Sequence, residues 1–250
     1  MRKTSKKLII RIMIAMMITV VVFLAIKYLT YERQPLPQAL AAVESDQNVT
    51  VSRYPWLSFT PKLASSTGFI FYPGGRISFL GYSDLMRSIS EQGFTVIVPK
   101  IPLNMAVFNA NIADKIIAAH PEIKTWVIGG HSVGGTAAAM YTSAHPENID
   151  GLAIWSSFPA ESSDLSKLNI PVVLLFGGNE TGVTDESVGA RKHLLPADTL
   201  YVKIEGGDHH QFGSYELTTE ENMATTSREV QHEQILSTMF VLLNKVDGGQ

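Results

Sequence analysis

The sequence predicts a three-layer α/β fold, in which a mostly parallel sheet of about eight strands carries helices on both faces. From residue 49 onward, short apolar runs bounded by glycine and proline alternate with helix-like segments. Several runs are apolar at nearly every position, which is typical of parallel strands buried on both faces. This alternation indicates right-handed crossovers within one sheet, and a chain of 250 residues is long enough for one such domain.

The first two predicted strands lie too close together for a helix between them, so we expect an antiparallel pair at one edge of the sheet. The predicted strands are Val49–Ser52, Trp56–Thr60, Gly68–Tyr72, Phe94–Val98, Thr125–Ile128, Leu152–Trp155, Val172–Phe176 and Leu200–Ile204. The predicted helices are Tyr82–Gln92, Asn109–His120, Gly134–His145, Glu186–His193 and Arg228–Lys245.

Composition excludes several classes of protein. Hydrophobic residues make up 45% of the chain, which excludes a wholly disordered protein. Twenty basic residues against 23 acidic ones argue against a nucleic-acid partner. The chain has no cysteine, so it has no disulfide framework, thiol nucleophile or thiolate metal site.

The N-terminal segment differs from the rest of the chain in charge and hydropathy. Residues 8–29 contain only two charged side chains, Arg11 and Lys27, and as a helix would reach about 33 Å, enough for a bilayer core of about 30 Å. We predict a basic cytoplasmic tail (1–7), a transmembrane anchor in membrane lipid (8–29), a linker (30–48) and a domain (49–250). Basic residues precede the apolar run, which places the domain outside the cytoplasmic membrane. The alternative is secretion after signal cleavage, but no small-x-small site follows the run closely.

One motif carries nucleophilic chemistry. The run Gly130-His131-Ser132-Val133-Gly134 stands where a buried strand ends and a helix of small residues begins. Gly-x-Ser-x-Gly in this context is a nucleophile elbow, so Ser132 is the candidate nucleophile. His131 is expected to be a packing or hydrogen-bonding neighbour rather than a base. The alternative is a glycine-rich turn whose serine only caps the helix.

With this elbow the chain resembles the α/β-hydrolase family, and more closely its small, lidless members related to dienelactone hydrolases and membrane-anchored carboxylesterase-like bacterial proteins. The resemblance covers about residues 65–245. It implies an α/β-hydrolase fold and a triad in the chain order nucleophile, acid, histidine. The chemistry of such a triad needs no cofactor.

The segment Phe71-Tyr72-Pro73-Gly74-Gly75-Arg76 resembles the oxyanion-hole loop of the family. Independently of the resemblance, the two glycines allow backbone to approach a ligand closely, so Gly74 is a candidate substrate contact. The N–H of Gly75 or Arg76, together with that of Val133, can supply two oxyanion donors. The alternative is an ordinary Pro-Gly turn.

The resemblance also implies the base and the acid of the triad. His209, in Gly206-Gly207-Asp208-His209, matches the position of the family's histidine, with His210 as the fallback. Glu180 occupies the position at which family members carry aspartate, and Asp185 is the alternative acid, expected instead to cap a helix. A metal site at residues 208–210 is disfavoured, because neighbouring side chains diverge.

The spacing of the candidate residues limits the substrate. The segments between Ser132, Glu180 and His209 are used up by predicted strands and helices, which leaves no room for a large cap domain. An open site favours a small-molecule acyl substrate. Met105 and Phe212 are candidate apolar substrate contacts. Surface or core packing explains Met105 as readily, and core packing is the default for Phe212.

Together these features predict a membrane-anchored serine hydrolase that cleaves a carboxylic ester or related acyl bond through a Ser-His-Glu triad and an acyl-enzyme. Two alternatives stay open. One is an acyltransferase or peptidase with the same triad, and the other is a non-catalytic binding protein on this fold.

Overall fold

The computed structural model describes residues 2–102, 105–218 and 221–248, so Met1 of the predicted tail lies outside them. The chain divides into two compact units, the first ending at Glu32 and the second beginning at Arg33. The first unit contains helix α1 (Arg2–Thr30), and its large apolar side chains between residues 10 and 24 are exposed. In the described part of the chain, we find no helix that combines the length and the apolarity needed to cross a membrane. The predicted anchor is therefore not confirmed.

The second unit is built around one sheet, whose strands match the predicted runs to within three residues. They are β1 (Val49–Ser52), β2 (Leu57–Pro61), β3 (Thr67–Tyr72), β4 (Thr95–Val98), β5 (Thr125–His131), β6 (Gly151–Trp155), β7 (Val172–Gly177) and β8 (Leu200–Ile204). These described strands form an eight-stranded sheet in the order β1-β2-β4-β3-β5-β6-β7-β8. Strand β2 is antiparallel to both β1 and β4, and all other neighbours are parallel, which confirms the predicted class and the antiparallel edge.

Helices cover both faces of this sheet. They are α2 (Pro37–Ala41), α3 (Ser83–Ser90), α4 (Ile112–Ala119), α5 (Val133–Ala144), α6 (Asp185–Arg191) and α7 (Arg228–Asp247). On β3, Phe69 and Phe71 join one core with residues of α3 and α7. Ile70 and Tyr72 point the other way, into a second core with residues of α4, α5 and α6. Because successive strand residues face opposite sides, the apolar runs fill two cores, and the three-layer prediction is confirmed.

Residues 33–48 of the segment predicted as a linker belong to the compact unit that begins at Arg33. The Arg33 N–H donates to the carbonyl oxygen of Arg76 at 2.8 Å, and its guanidinium pairs with Glu221 at 2.5 Å. Ala39 and Val43 are buried. The prolines and polar residues here predict a stalk or a short helix, and the segment contains the short helix Pro37–Ala41. A few apolar contacts and backbone hydrogen bonds hold it on the domain.

Strand β5 ends three residues later than predicted, at His131. The apolar run stops at Ile128, but Gly129 continues the pairing with β6 opposite Ala153. A Cβ atom at Gly129 would lie 2.7 Å from the Ala153 carbonyl oxygen, so a larger residue does not fit there. The extended strand delivers Ser132 to the carboxyl edge of the sheet.

Candidate active site

Four neighbouring parallel strands end at the same edge of the sheet, and each is followed by a residue of the candidate site. Ser132 follows β5, Ser156 follows β6, Glu180 lies in the loop after β7, and His209 in the loop after β8. Ligand sites of α/β sheets lie at this carboxyl edge, because the loops that leave neighbouring strands meet there.

Ser132 occupies a strained turn between β5 and α5. Its φ of 53° and ψ of −126° are unusual for a residue other than glycine and store about 1–3 kcal/mol of strain. The Ser132 N–H donates to the Trp155 carbonyl oxygen at 2.9 Å, which ties the turn to β6. A Cβ atom at Gly134 would lie 2.1 Å from the Tyr72 carbonyl oxygen, so the turn needs glycine at that position. The predicted elbow therefore has the geometry that its motif requires.

Glu180 and His209 are brought together, as the resemblance implied. Oε2 of Glu180 lies 3.2 Å from Nδ1 of His209. The Glu180 side chain is fully buried, and its Oε1 accepts a hydrogen bond of 2.5 Å from the Gly177 N–H. The His209 side chain is 32% exposed, so one part of the ring reaches the surface of the site. A carboxylate in this position orients an imidazole and offsets its charge.

The two fallback residues have other partners. Asp185 lies in the first turn of α6 with a side chain that is 70% exposed, and its carboxylate pairs with Nζ of Lys203 at 2.8 Å. Thr184, not Asp185, caps that helix by accepting a hydrogen bond from the Ser187 N–H. Nδ1 of His210 lies 3.3 Å from Asp208 Oδ1.

Asp208 holds the loop that carries the histidine. Burial raises the pKa of its carboxyl, but hydrogen bonds from the His210 side chain and from the N–H groups of His210 and Met223 outweigh burial and lower that pKa. Gln231, fully buried on α7, clamps the Asp208 backbone from the other side through bonds of 3.0 and 2.8 Å. In the described ranges, we find no group of three or more carboxylate and imidazole side chains that could hold a metal ion.

Ser132 and His209 share the site without a direct hydrogen bond between them. Among the described residues, none accepts from or donates to Oγ of Ser132 within hydrogen-bonding distance. The His209 ring lies 4.7 Å, centroid to centroid, from the ring of His131, the residue before the nucleophile. Catalytic hydrogen bonds in sites without substrate are commonly long and tighten when the substrate binds.

The candidate oxyanion loop is held by its own hydrogen bonds. The Gly74 N–H donates to the hydroxyl oxygen of Tyr82 at 3.1 Å, and a Cβ atom at Gly74 would lie 2.7 Å from Nδ1 of His131. Gly74 is buried, so it supports the loop rather than offering a substrate contact. Arg76 has a left-handed φ of 59°, and its carbonyl accepts the bond from Arg33.

The other predicted oxyanion donors stay candidates. Val133 is the first residue of α5, and the helix supplies no acceptor for an N–H at that position. Gly75 and Arg76 are half-buried in the turn that follows β3.

The two predicted apolar contacts differ in accessibility. Met105 is half-buried and stays available to a substrate. Phe212 is fully buried, and its ring stacks on that of His131 with centroids 5.4 Å apart. Phe212 therefore packs beneath the histidines and has no surface to offer a substrate.

Sequence analysis missed two polar residues of the site. Ser156 is 1% exposed, and its hydroxyl contacts both Oε2 of Glu180 and Nδ1 of His209. Tyr82 is fully buried, and its hydroxyl lies 2.8 Å from Nδ1 of His131. Ser156 had one available signal, because it directly follows a buried strand at the same sheet edge as the triad. Tyr82 lies in a short 3₁₀ helix, Phe79–Tyr82, and had none.

Comparisons with solved structures agree with the fold of the second unit. Three solved structures are among those that share this fold. Est1E from Butyrivibrio proteoclasticus, bound to ferulic acid, has a TM-score of 0.53 and 14% identity, covering 78% of this chain and 99% of its own. MGS-MChE2, an α/β hydrolase from a sediment metagenome of the Mar Chica lagoon, has a TM-score of 0.56 and 18% identity. The match covers 78% of this chain and 98% of that protein. A bacterial membrane phospholipase A has a TM-score of 0.56 and 13% identity. The match covers 96% of this chain and 99% of that protein.

Comparison of the sequence with curated proteins and with family models assigns the chain to a family. No curated protein matches the chain at a significant level. The sequence model of the alpha/beta hydrolase family matches residues 68–233, about two thirds of the chain, which include Ser132, Glu180 and His209. The chain belongs to the alpha/beta hydrolase family.

Proposed function

We propose that this alpha/beta hydrolase cleaves a carboxylic ester or related acyl bond by the serine hydrolase mechanism. Oγ of Ser132 attacks the carbonyl carbon while Nε2 of His209 takes its proton. The N–H groups of Val133 and of Gly75 or Arg76 bind the oxyanion. His209 returns the proton to the leaving group, and a water molecule then hydrolyses the acyl-enzyme.

The observation that carries the proposal is the buried contact between Glu180 and His209 beside a strained serine. A carboxylate only accepts hydrogen bonds, so its contact with Nδ1 keeps the proton of a neutral imidazole on Nδ1. Nε2 then has a free lone pair with which to take the proton of Ser132. Burial of Glu180 keeps water from competing for the same imidazole nitrogen.

A small substrate is supported by the short segments between Ser132, Glu180 and His209, which leave no room for a large cap domain. A cavity of about 300 Å³ lies beside the base and is lined by Thr181, His209, His210 and Met223 among others. Neither Ser132 nor a candidate oxyanion donor lines it, so its volume does not limit the acyl group. Est1E, which shares the fold, is bound to ferulic acid, a small aromatic acid. We therefore expect short or aromatic acyl esters to be turned over before long-chain ones.

A fluorophosphonate probe tests the proposal without knowledge of the natural substrate. The wild-type protein should be labelled covalently, and Ser132→Ala should not. With a short-chain aryl ester, kcat should fall on the order of 10⁶-fold in Ser132→Ala, because the nucleophile is lost. Thermal stability should hardly change, since Oγ of Ser132 makes no hydrogen bond to another described residue. Equal labelling of both proteins would refute the assignment of Ser132.

The cellular location is a separate part of the proposal and rests on the sequence. We propose that residues 8–29 hold the hydrolase domain at the outer side of the cytoplasmic membrane, because basic residues precede the apolar run. Protease added to intact cells should then remove the domain while a cytoplasmic control protein survives. Recovery of the domain from the medium would instead indicate cleavage of a signal peptide. Protection of both proteins would show that the orientation is reversed.

A further inference from the structure

We propose that Ser156 is a positioning residue of the catalytic centre, whose hydroxyl group is hydrogen-bonded between Glu180 and His209. The inference rests on the proposed function, because it assigns a role within the same acid–base pair. It makes the centre a set of four side chains, each delivered by one of the four strands β5 to β8.

The backbone of Ser156 is fixed in an uncommon conformation. Its φ of 47° lies in the left-handed region, which residues other than glycine rarely adopt. The Ser156 N–H donates to the Leu175 carbonyl oxygen at 2.7 Å, so the turn after β6 is pinned to β7. Such strain persists only where the surroundings enforce it, and it concentrates at functional sites. Here it aims a fully buried hydroxyl at the acid and the base.

The directions of the hydrogen bonds follow from the available protons. The Ser156 hydroxyl has one proton, and an ionised Glu180 can only accept it. Ser156 Oγ must then be an acceptor toward Nδ1 of His209, so the imidazole proton lies on Nδ1. If the hydroxyl donated to Nδ1 instead, the imidazole proton would lie on Nε2, and His209 could not take the proton of Ser132. The reactive tautomer of His209, with its proton on Nδ1, therefore goes with the rotamer of the Ser156 hydroxyl that donates to Glu180.

The role has a consequence during the reaction. When His209 takes the proton of Ser132, the imidazole becomes positively charged. The Ser156 hydroxyl then accepts a hydrogen bond from the imidazolium and still donates one to the Glu180 carboxylate, and hydrogen bonds to charged groups are stronger than neutral ones. The Ser156 hydroxyl should therefore stabilise the transition state more than the ground state, which lowers the barrier without tightening substrate binding.

Two substitutions separate this role from a structural one. Ser156→Ala removes the hydroxyl and keeps the backbone strain, whereas Ser156→Gly removes both and suits the left-handed φ. Both variants should lower kcat about 10- to 100-fold, the loss expected for one hydrogen bond to a charged group, with KM within about twofold of the wild type. A glycine variant that is at least as stable as the wild type and yet slow would exclude misfolding as the cause.

The matched control is Ser157→Ala, at the next residue. Ser157 is also buried, but its hydroxyl bonds Oγ1 of Thr136 at 2.9 Å and touches neither Glu180 nor His209. The kcat of the Ser157→Ala variant should stay within about threefold of the wild type, since the contact between Glu180 and His209 is unchanged. The double variant Ser156→Ala/Glu180→Gln should lose less kcat than the product of the two single fold-losses, because the effects of groups that act as a unit are not additive.

The outcomes distinguish the two proposals. If the wild type is labelled by the fluorophosphonate and both Ser156 variants keep full kcat, the role of Ser156 is refuted and the serine hydrolase stands. If Ser156→Gly is as fast as the wild type but Ser156→Ala is slow, strain and not the hydroxyl is responsible, which also refutes the inference. If the wild type and Ser132→Ala react alike with the probe, the proposed function itself fails.

Discussion

The hydroxyl oxygen of Tyr82 lies 2.8 Å from Nδ1 of His131, and this contact joins three loops of the candidate active site. The Gly74 N–H of the oxyanion loop donates to the same hydroxyl. On the other side of the ring, Nε2 of His131 lies 3.0 Å from the carbonyl oxygen of His209. The oxyanion loop, the nucleophile elbow and the loop of the base are thus connected through two buried side chains.

The donors and acceptors of these hydrogen bonds determine where their protons lie. A carbonyl oxygen only accepts, so Nε2 of His131 donates to His209 and Nδ1 is an acceptor. The Tyr82 hydroxyl must therefore donate to Nδ1 while it accepts from Gly74. Burial, and to a lesser degree the neighbouring His209, lower the pKa of His131 well below its ordinary value, which keeps the ring neutral. His131 is a hydrogen-bonding neighbour of the elbow, as the sequence indicated.

Tyr82→Phe tests the importance of this chain. Removal of the hydroxyl leaves the Gly74 N–H and Nδ1 of His131 buried without partners. The free energy of unfolding should fall by at least about 1–3 kcal/mol, the cost of one unsatisfied buried group, because two groups lose their partner, and kcat should fall because the oxyanion loop loses its support. Urea unfolding and ester turnover measure the two effects.

Tyr215→Phe is the matched control for this substitution. Tyr215 is also fully buried, and its ring centroid lies 6.0 Å from that of Tyr82. Its hydroxyl has no hydrogen-bond partner in the part of the chain that the structure describes. The control should keep its activity and at least its wild-type stability. Equal loss of stability in the two variants would contradict the role assigned to the Tyr82 hydroxyl.

The sequence predicts the fold far better than it predicts the polar support of the site. Apolar runs indicate strands that are buried on both faces of a sheet. The number of strands, their order along the chain and the fold class therefore follow from the pattern alone. Ser132 could be found from its Gly-x-Ser-x-Gly motif, and Glu180 and His209 from the resemblance to a family that carries its acid and its histidine after corresponding strands. Ser156 and Tyr82 contribute through tertiary contacts between loops; only the place of Ser156 directly after a buried strand points to it, and nothing in the sequence points to Tyr82. For Phe212 the sequence leaves both substrate contact and core packing open, because an aromatic near a catalytic residue can face either, and the structure places it in the core.

The choice between Glu180 and Asp185 can be tested by removing the charge of each. Glu180→Gln should lower kcat steeply, about 10⁴-fold as in other triads, because an amide can hold the imidazole in the wrong tautomer. Asp185→Asn changes an exposed side chain paired with Lys203 and should keep most of the activity. Steady-state kinetics on one short-chain ester suffice. An inactive Asp185→Asn beside an active Glu180→Gln would reverse the assignment.

Gly134→Ala tests the requirement for glycine in the elbow. The added methyl group would lie 2.1 Å from the Tyr72 carbonyl oxygen and 2.6 Å from that of Pro73, both of which are backbone atoms that cannot rotate away. We expect a loss of about 3 kcal/mol in stability, and lower kcat because the displaced backbone leads directly into the oxyanion loop. Gly189→Ala, on α6, meets no atom within 4 Å and should be neutral or slightly stabilising. Comparable thermal midpoints for the two variants would show that the elbow tolerates a side chain.

The neutral state of His131 makes stability depend on pH. Its pKa is lowered well below the ordinary value by burial and by His209 and His210, whereas in the unfolded chain it is about 6.5. Below about pH 6.5 the unfolded chain therefore binds a proton that the folded protein does not bind. Stability is fully present above this pH and is lost as the pH falls, by about 1.4 kcal/mol per pH unit for one such group. Burial also lowers the pKa of His232, which adds a contribution of the same sign.

His131→Gln should remove one of these two contributions. Glutamine does not titrate, so the slope of unfolding free energy against pH between pH 6 and 5 should decrease by up to about 1.4 kcal/mol per unit, even though the variant is less stable at pH 7.5. Urea unfolding at half-unit intervals of pH measures the slope. The control His193→Gln changes a side chain that is 64% exposed and should leave the slope as it is. If wild type and His131→Gln lose stability in parallel as the pH falls, the ring of His131 takes up a proton in the folded protein, and the neutral hydrogen-bonded chain from Gly74 to His209 is refuted.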